Sequence, residues 1–211
     1  MGLTEVNKDW RRVEQQHTIW NATARWGENR RVEAANNINK PSEAEFQVGG
    51  TAIVAFDDFV FGITKQGSDS RKLGRWVWVT VTGKNNCNTT IITCYCPVKG
   101  TSPGSVYAQH LLYMAEHNID VPNNITCPRQ LFGHDLQNII EEKERLGHQL
   151  IVCGDFNSEY DELKEWMLRA NLSDLIVPRH GLGPRTYKRS KQMPIDCFFG
   201  SSTLKISRGG T

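Results

Sequence analysis

The chain has no apolar run long enough to cross a bilayer as a helix, and its first ten residues lack the charged-then-apolar layout of a secretion signal. Strong charge of one sign is missing too. The formal net charge is only +2 over 211 residues, so bulk electrostatics gives little reason to expect a nucleic-acid binder. No Cys-x-x-Cys pair occurs among Cys87, Cys94, Cys96, Cys127, Cys153 and Cys197, which argues against structural zinc. Cys94, Cys96, Cys153 and Cys197 fall in apolar runs and read as buried free thiols of a reducing compartment. Internal repeats and low-complexity tracts are absent. The expectation is an intracellular (nuclear or cytoplasmic) monomer without a membrane segment. The sequons at Asn21, Asn88, Asn124 and Asn171 then read as chance matches in an Asn-rich chain.

What is present suits one globular domain: 38% hydrophobic and 23% charged residues. Residues 1–20 read as a strand end and a polar segment, and 21–48 as loop broken by Asn36-Asn37 and Lys40-Pro41. Gly49-Gly50 opens the β-like run Thr51 to Phe56. A turn at Asp57-Asp58 and the run Phe59 to Ile63 then predict a hairpin. Arg75 to Thr82 alternates Val77, Val79 and Val81 with Trp76, Trp78 and Thr80, the pattern of a strand covered on both faces. Thr90 to Cys96 is a further strand, stopped by Pro97. An apolar patch spans Val106 to Met114. Arg129 to Leu146 has helical spacing at Phe132, Leu136, Ile139 and Ile140, and Gly147 ends it. A second helix is expected from Tyr160 to Ala170, and a last short strand from Ile195 to Phe199. Strands mixed with helices indicate an α/β fold with a mixed sheet.

Gln149-Leu-Ile-Val-Cys-Gly-Asp155-Phe-Asn157 is the most informative stretch. A buried-type strand ends in a carboxylate and a carboxamide, where an open α/β sheet places its chemistry. In an extended chain the two side chains share a side. The competing structural reading is a turn whose Asp and Asn cap the next helix. Glu5 ends a short apolar run. Tyr95 sits within an apolar strand, where a core tyrosine with a satisfied hydroxyl is the plain alternative. Asp196 enters another apolar strand and needs a partner there. Between Val177 and Ile195 the residues Arg179, Arg185, Lys188, Arg189 and Lys191 occur without an acid, interleaved with Tyr187. That composition can grip phosphates and offer a stacking surface, or be a solvated cationic loop.

Taken in order, Glu5, Gly49-Gly-Thr-Ala-Ile53, Ile91-Ile-Thr-Cys-Tyr-Cys-Pro97, Val152-Cys-Gly-Asp-Phe-Asn157, Arg185-Thr-Tyr187 and Ile195-Asp-Cys-Phe-Phe199 resemble the endonuclease/exonuclease/phosphatase superfamily over nearly the whole chain. This is the fold of abasic-site endonucleases and DNase I. The Gly49 to Ile53 stretch and Leu73-Gly-Arg-Trp-Val-Trp78 look most like its retroelement-associated branch. The resemblance implies a four-layered sandwich, two mixed sheets packed face to face and flanked by helices. It implies Glu5 as the ligand of Mg²⁺, with Mn²⁺ as a substitute, and Tyr95 near the scissile phosphate. Asp155 would position or deprotonate the attacking water, Asn157 would orient substrate, and Asp196 would partner a histidine. Arg185, Thr186, Tyr187, Lys188 and Arg189 would lie near the substrate. DNA is the expected substrate and partner, with a reverse transcriptase domain in the same longer polypeptide. The alternatives are a small phosphoester substrate or a non-catalytic nucleic-acid-binding remnant.

Two family segments are expected to be missing: a first strand bearing an Asn upstream of Glu5, and a final Ser-Asp-His. The expectation is an incomplete domain over residues 1–211, with impaired hydrolysis by this chain alone.

Overall fold

A computed structural model describes residues 1–40, 44–100, 102–117, 121–181 and 194–204. In chain order the elements are β1 (Gly2–Thr4), α1 (Ile19–Ala22), β2 (Arg30–Ala35), β3 (Thr51–Phe56), α2 (Asp58–Phe61), β4 (Ile63–Ser68), β5 (Trp76–Thr82) and β6 (Asn88–Tyr95). They continue with α3 (Val106–Glu116), α4 (Pro128–Arg145), β7 (Gln149–Asp155), α5 (Tyr160–Arg169), β8 (Leu172–Asp174), α6 (Val177–His180) and β9 (Asp196–Ser201). The strands form a three-stranded sheet in the order β1-β3-β2 and a six-stranded sheet in the order β4-β5-β6-β7-β9-β8. The small sheet is antiparallel. The large one is mixed, because β6 and β7 run parallel. Among the described residues no helix is long and apolar enough to cross a membrane.

The alternating pattern of β5 divides its two faces as expected. Val77 and Val79 pack with Ile53, Ala55 and Ile63 in the apolar seam between the sheets. Trp76 joins Ile92, Leu136, Val152, Met167 and Phe199 in the larger core beneath the helices. Its ring meets Phe132 of α4 edge-on at 5.9 Å. The result is the expected α/β architecture of two sheets with flanking helices.

Two expectations are corrected. Thr51 to Ile63 is not a hairpin. β3 pairs with β1 and β2, whereas β4 pairs with β5 in the other sheet. Asp57 adopts φ 50°, and the single helical turn α2 carries the chain across the seam. Residues 21–48 are also more than loop, since Arg30–Ala35 pairs along the whole of β3.

A buried ionic cluster fixes the start of β5. Arg75, 1% exposed, donates to both oxygens of Asp69 at 2.7 Å and to Asp135 of α4 at 2.8 Å. Arg71 joins Asp135 at 2.6 Å. Burial disfavours every charge here, yet the guanidinium contacts win and hold both carboxyls below their usual range. The carbonyl of Arg75 accepts the amide of Tyr95 at 2.8 Å. The cluster thereby bears on the end of β6.

Gly154 is the tightest point of the large sheet. Its φ is +143°, and a Cβ there would lie 1.9 Å from the carbonyl oxygen of Cys94 on β6. Gly154→Ala should therefore cost at least about 2–3 kcal/mol, by strain or by displacement of the strand. Urea unfolding measures this, and a variant of wild-type stability would contradict it.

Candidate active site

The site is built from strand ends. Tyr95 closes β6, Asp155 closes β7 and Asp196 opens β9. Register sets Tyr95 opposite Asp155, and Asp155 opposite Asp196. Directly opposed residues project to the same face, so the three side chains form a row. The fourth member comes from the other sheet. Glu5 follows β1, and its Oε1 accepts the Tyr95 hydroxyl at 2.8 Å. Tyr95 is buried, while Glu5 and Asp196 are exposed, which places the row at a rim open to solvent.

Asn157 joins by a route other than strand alternation. The extended chain ends at Asp155, and Asn157 turns to φ 47°. Its amide donates to Asp155 Oδ1 at 3.0 Å, and its Nδ2 donates to the carbonyl of Cys96 at 2.9 Å. The carboxamide thereby ties the β7 loop to the end of β6. Neither Asp155 nor Asn157 caps the next helix: the residue before α5 is Glu159, without a side-chain cap. Glu5 is also left-handed, at φ 51°, so two of the five residues occupy backbone conformations that ordinary side chains disfavour.

Sequence reasoning overlooked what holds Glu5. Asn7 and Gly49 form a reciprocal clamp: the Asn7 amide donates to the Gly49 carbonyl at 2.8 Å, and the Gly49 amide donates to Asn7 Oδ1 at 2.9 Å. Gly49 has φ +87°, and a Cβ there would come 2.8 Å from Val106 and 3.8 Å from the Tyr95 ring. The Gly49-Gly50 pair was the available signal, because glycine admits both the conformation and the approach. Arg129 was also overlooked. It donates to the Pro97 carbonyl at 3.0 Å and to Ser158 Oγ at 2.5 Å, bridging the loops after β6 and β7.

Electrostatics singles out Asp155. Its carboxyl is pushed up to about 7, first by burial and then by the Asp196 carboxylate, with a smaller push from Glu5; hydrogen bonds from Asn157 oppose the rise. Burial and the bond to Glu5 push the Tyr95 phenol far above its ordinary range, so it remains a donor at neutral pH. His110, His117, His134 and His148 are engaged elsewhere, with Leu73, Tyr113, Asp135 and Thr90. Arg185, Thr186, Tyr187, Lys188 and Arg189 lie outside the described residues.

The donor set suits a hard cation. Mg²⁺ binds through one or two carboxylates and keeps several waters. Glu5 with Asp155 or Asp196 meets that requirement, and a cation would relieve the crowding that raises Asp155. Among the described residues no three carboxylate, imidazole or thiol groups gather where they could together hold a metal ion.

Because the Asp155 pKa is higher folded than unfolded, its favourable contribution to stability is present below about 4 and is lost as pH rises through about 7. Asp155→Asn should accordingly melt about 2–4 °C higher than the parent well above pH 7, reflecting about 1 kcal/mol after allowance for solvent screening. Below about pH 4 the two should melt together. Calorimetry at both ends of the range checks this, and a pH-independent difference would contradict it.

No protein-family model and no curated protein matches the chain. Solved structures do match. An endonuclease/exonuclease/phosphatase family protein from Leptotrichia buccalis is similar at 14% identity with a TM-score of 0.56, over 97% of this chain and 76% of that one. A Neisseria 3′ phosphatase bound to a product DNA hairpin gives 16% and 0.55, over 95% of this chain and 75% of that one. An AP endonuclease from Archaeoglobus fulgidus gives 15% and 0.52, over 95% and 75%. The chain thus has the DNase I-like fold of the endonuclease/exonuclease/phosphatase proteins.

Proposed function

We propose that the rim formed by Glu5, Tyr95, Asp155, Asn157 and Asp196 hydrolyses phosphodiesters, with DNA as the substrate and Mg²⁺ as the cofactor. The observation that carries this reading is the row Tyr95, Asp155 and Asp196, with Glu5 bonded across the seam and a carboxyl tuned to about 7 at its centre. A base poised near neutrality can accept a proton from water without being permanently protonated or too weak. Asp155 takes that role. Asn157 holds the Asp155 loop against β6, which fixes the direction from which water is approached. The Tyr95 hydroxyl, kept protonated, can donate to a phosphoryl oxygen once Glu5 is engaged elsewhere. Glu5 is the residue that would hold Mg²⁺. When bound, the ion supplies charge neutralisation for the phosphoryl oxygens.

The relatives in fold support a nucleic-acid substrate, since one is described with product DNA and another as an AP endonuclease. The Gly49 to Ile53 and Leu73 to Trp78 stretches favour the retroelement branch, hence nicking of duplex DNA and a reverse transcriptase in the same longer polypeptide.

Supercoiled plasmid should be nicked in Mg²⁺ at a measurable rate. Asp155→Ala should lower that rate by about 100-fold or more. Equal nicking by parent and variant would refute the proposal. DNA binding without Mg²⁺-dependent nicking would favour the non-catalytic reading, and turnover of phosphoinositide alone would favour the small-phosphoester one.

A further inference from the structure

Beside the rim lies a cavity of about 300 Å³ between α4 and α5, at the lower end of the range for small-ligand pockets. Its lining is divided by chemistry. Arg129, Gln130, Ser158 and Glu162, from the first turns of the two helices and the β7–α5 loop, bring the polar groups. Phe132, Phe156, Leu163 and Trp166 bring the apolar ones. The first three are buried in the core and form a fixed wall, whereas Trp166 is only partly buried.

The cavity lies on the helix-covered face of the large sheet, whereas the row of Tyr95, Asp155 and Asp196 faces the small sheet, and the two meet at the strand ends. Cys96, whose carbonyl accepts the Asn157 carboxamide, is part of the lining, and Phe156 and Ser158 flank Asn157 in sequence.

Gly133 lines the cavity. It lies inside the 18-residue helix α4, four residues after Arg129 and on the same helix face. Glycine is the residue that costs a helix interior most after proline. Packing does not demand it here, because a Cβ at Gly133 would meet nothing within 4 Å. Its backbone needs no special conformation either, since its φ lies outside the left-handed region. A longer side chain at this position has open space to grow into.

We infer that this cavity is a nucleotide subsite. It receives the base of a nucleotide flanking the scissile phosphate, with that nucleotide's own phosphate at Arg129. The apolar wall and the exposed part of Trp166 suit a flat aromatic ring. Glu162 can accept a hydrogen bond from an exocyclic amino group, while its charge keeps phosphate at the Arg129 side. Arg129 spends two donors on Pro97 and Ser158 and has others left of the five a guanidinium carries. The inference rests on the phosphodiesterase reading of the neighbouring rim, but binding can be measured apart from cleavage.

The test is a plug. Gly133→Leu grows a side chain into the cavity, Gly133→Ala adds one methyl group, and thermal melts confirm that both fold. Binding of a fluorescently labelled DNA oligonucleotide, followed by anisotropy without divalent metal, should weaken about tenfold or more in the Leu variant, the loss of one base contact. The Ala variant should bind close to the parent. Free deoxynucleoside monophosphate should compete, and inorganic phosphate should compete much less. Equal binding by parent and Leu variant, no binding by the parent, or equal competition by phosphate would overturn the subsite. Absence of nicking by a parent that binds in this plug-sensitive way would defeat the catalytic reading and leave the subsite standing.

Discussion

The close approach of β7 to β6 at Gly154 is the constraint on which the rim depends. With no Cβ in the way, the parallel pairing continues to the last residues of both strands and sets Tyr95 level with Asp155. The antiparallel pairing of β9 on the other edge then brings Asp196 to the same level. The loops inherit their starting points from that alignment. The Cys96 amide bonds the Asp155 carbonyl, and the Phe156 amide bonds the Ile195 carbonyl. Strand pairing thus sets Asp155 beside Asp196, and Glu5 from the other sheet adds to the crowding.

The ionic cluster around Arg75 does a different job. Replacing a buried ion pair with apolar residues is often neutral or stabilising, so the cluster is weak evidence of added stability. Its value lies in direction. An apolar contact between β5 and α4 could slide, whereas a guanidinium forked onto Asp69 and reaching Asp135 has one geometry. That geometry sits one hydrogen bond from the Tyr95 amide. A polar lock in the core thus specifies where a rim residue begins.

The strands at 51–56, 76–82, 88–95 and 149–155 were legible because they are apolar, β-branched and bounded by turn residues, signals that depend on local chemistry. β2 was not, since Arg30-Arg-Val-Glu-Ala-Ala35 is half-buried throughout and has no dry face to produce alternation. β8 has three residues and no periodicity to read. The false hairpin arose because the sequence marks the turn at Asp57 but not the sheet to which the next strand goes. In the rim, Asp155 and Tyr95 stood out as polar groups at the ends of apolar strands. Asn7 did not, because its clamp on Gly49 joins residues 42 apart and nothing in its own neighbourhood marks it. The open space beside Gly133 is invisible in one dimension.

The hydrogen bond between Tyr95 and Glu5 spans two sheets of unequal size. Glu5 hangs from a three-residue strand that pairs on one side with β3, whereas Tyr95 belongs to the middle of a six-stranded sheet. Short peripheral segments open at lower free energy than the centre of a domain. Fraying of that minor layer would detach Glu5 while the main body stayed intact, so competence and global foldedness need not be lost at the same temperature.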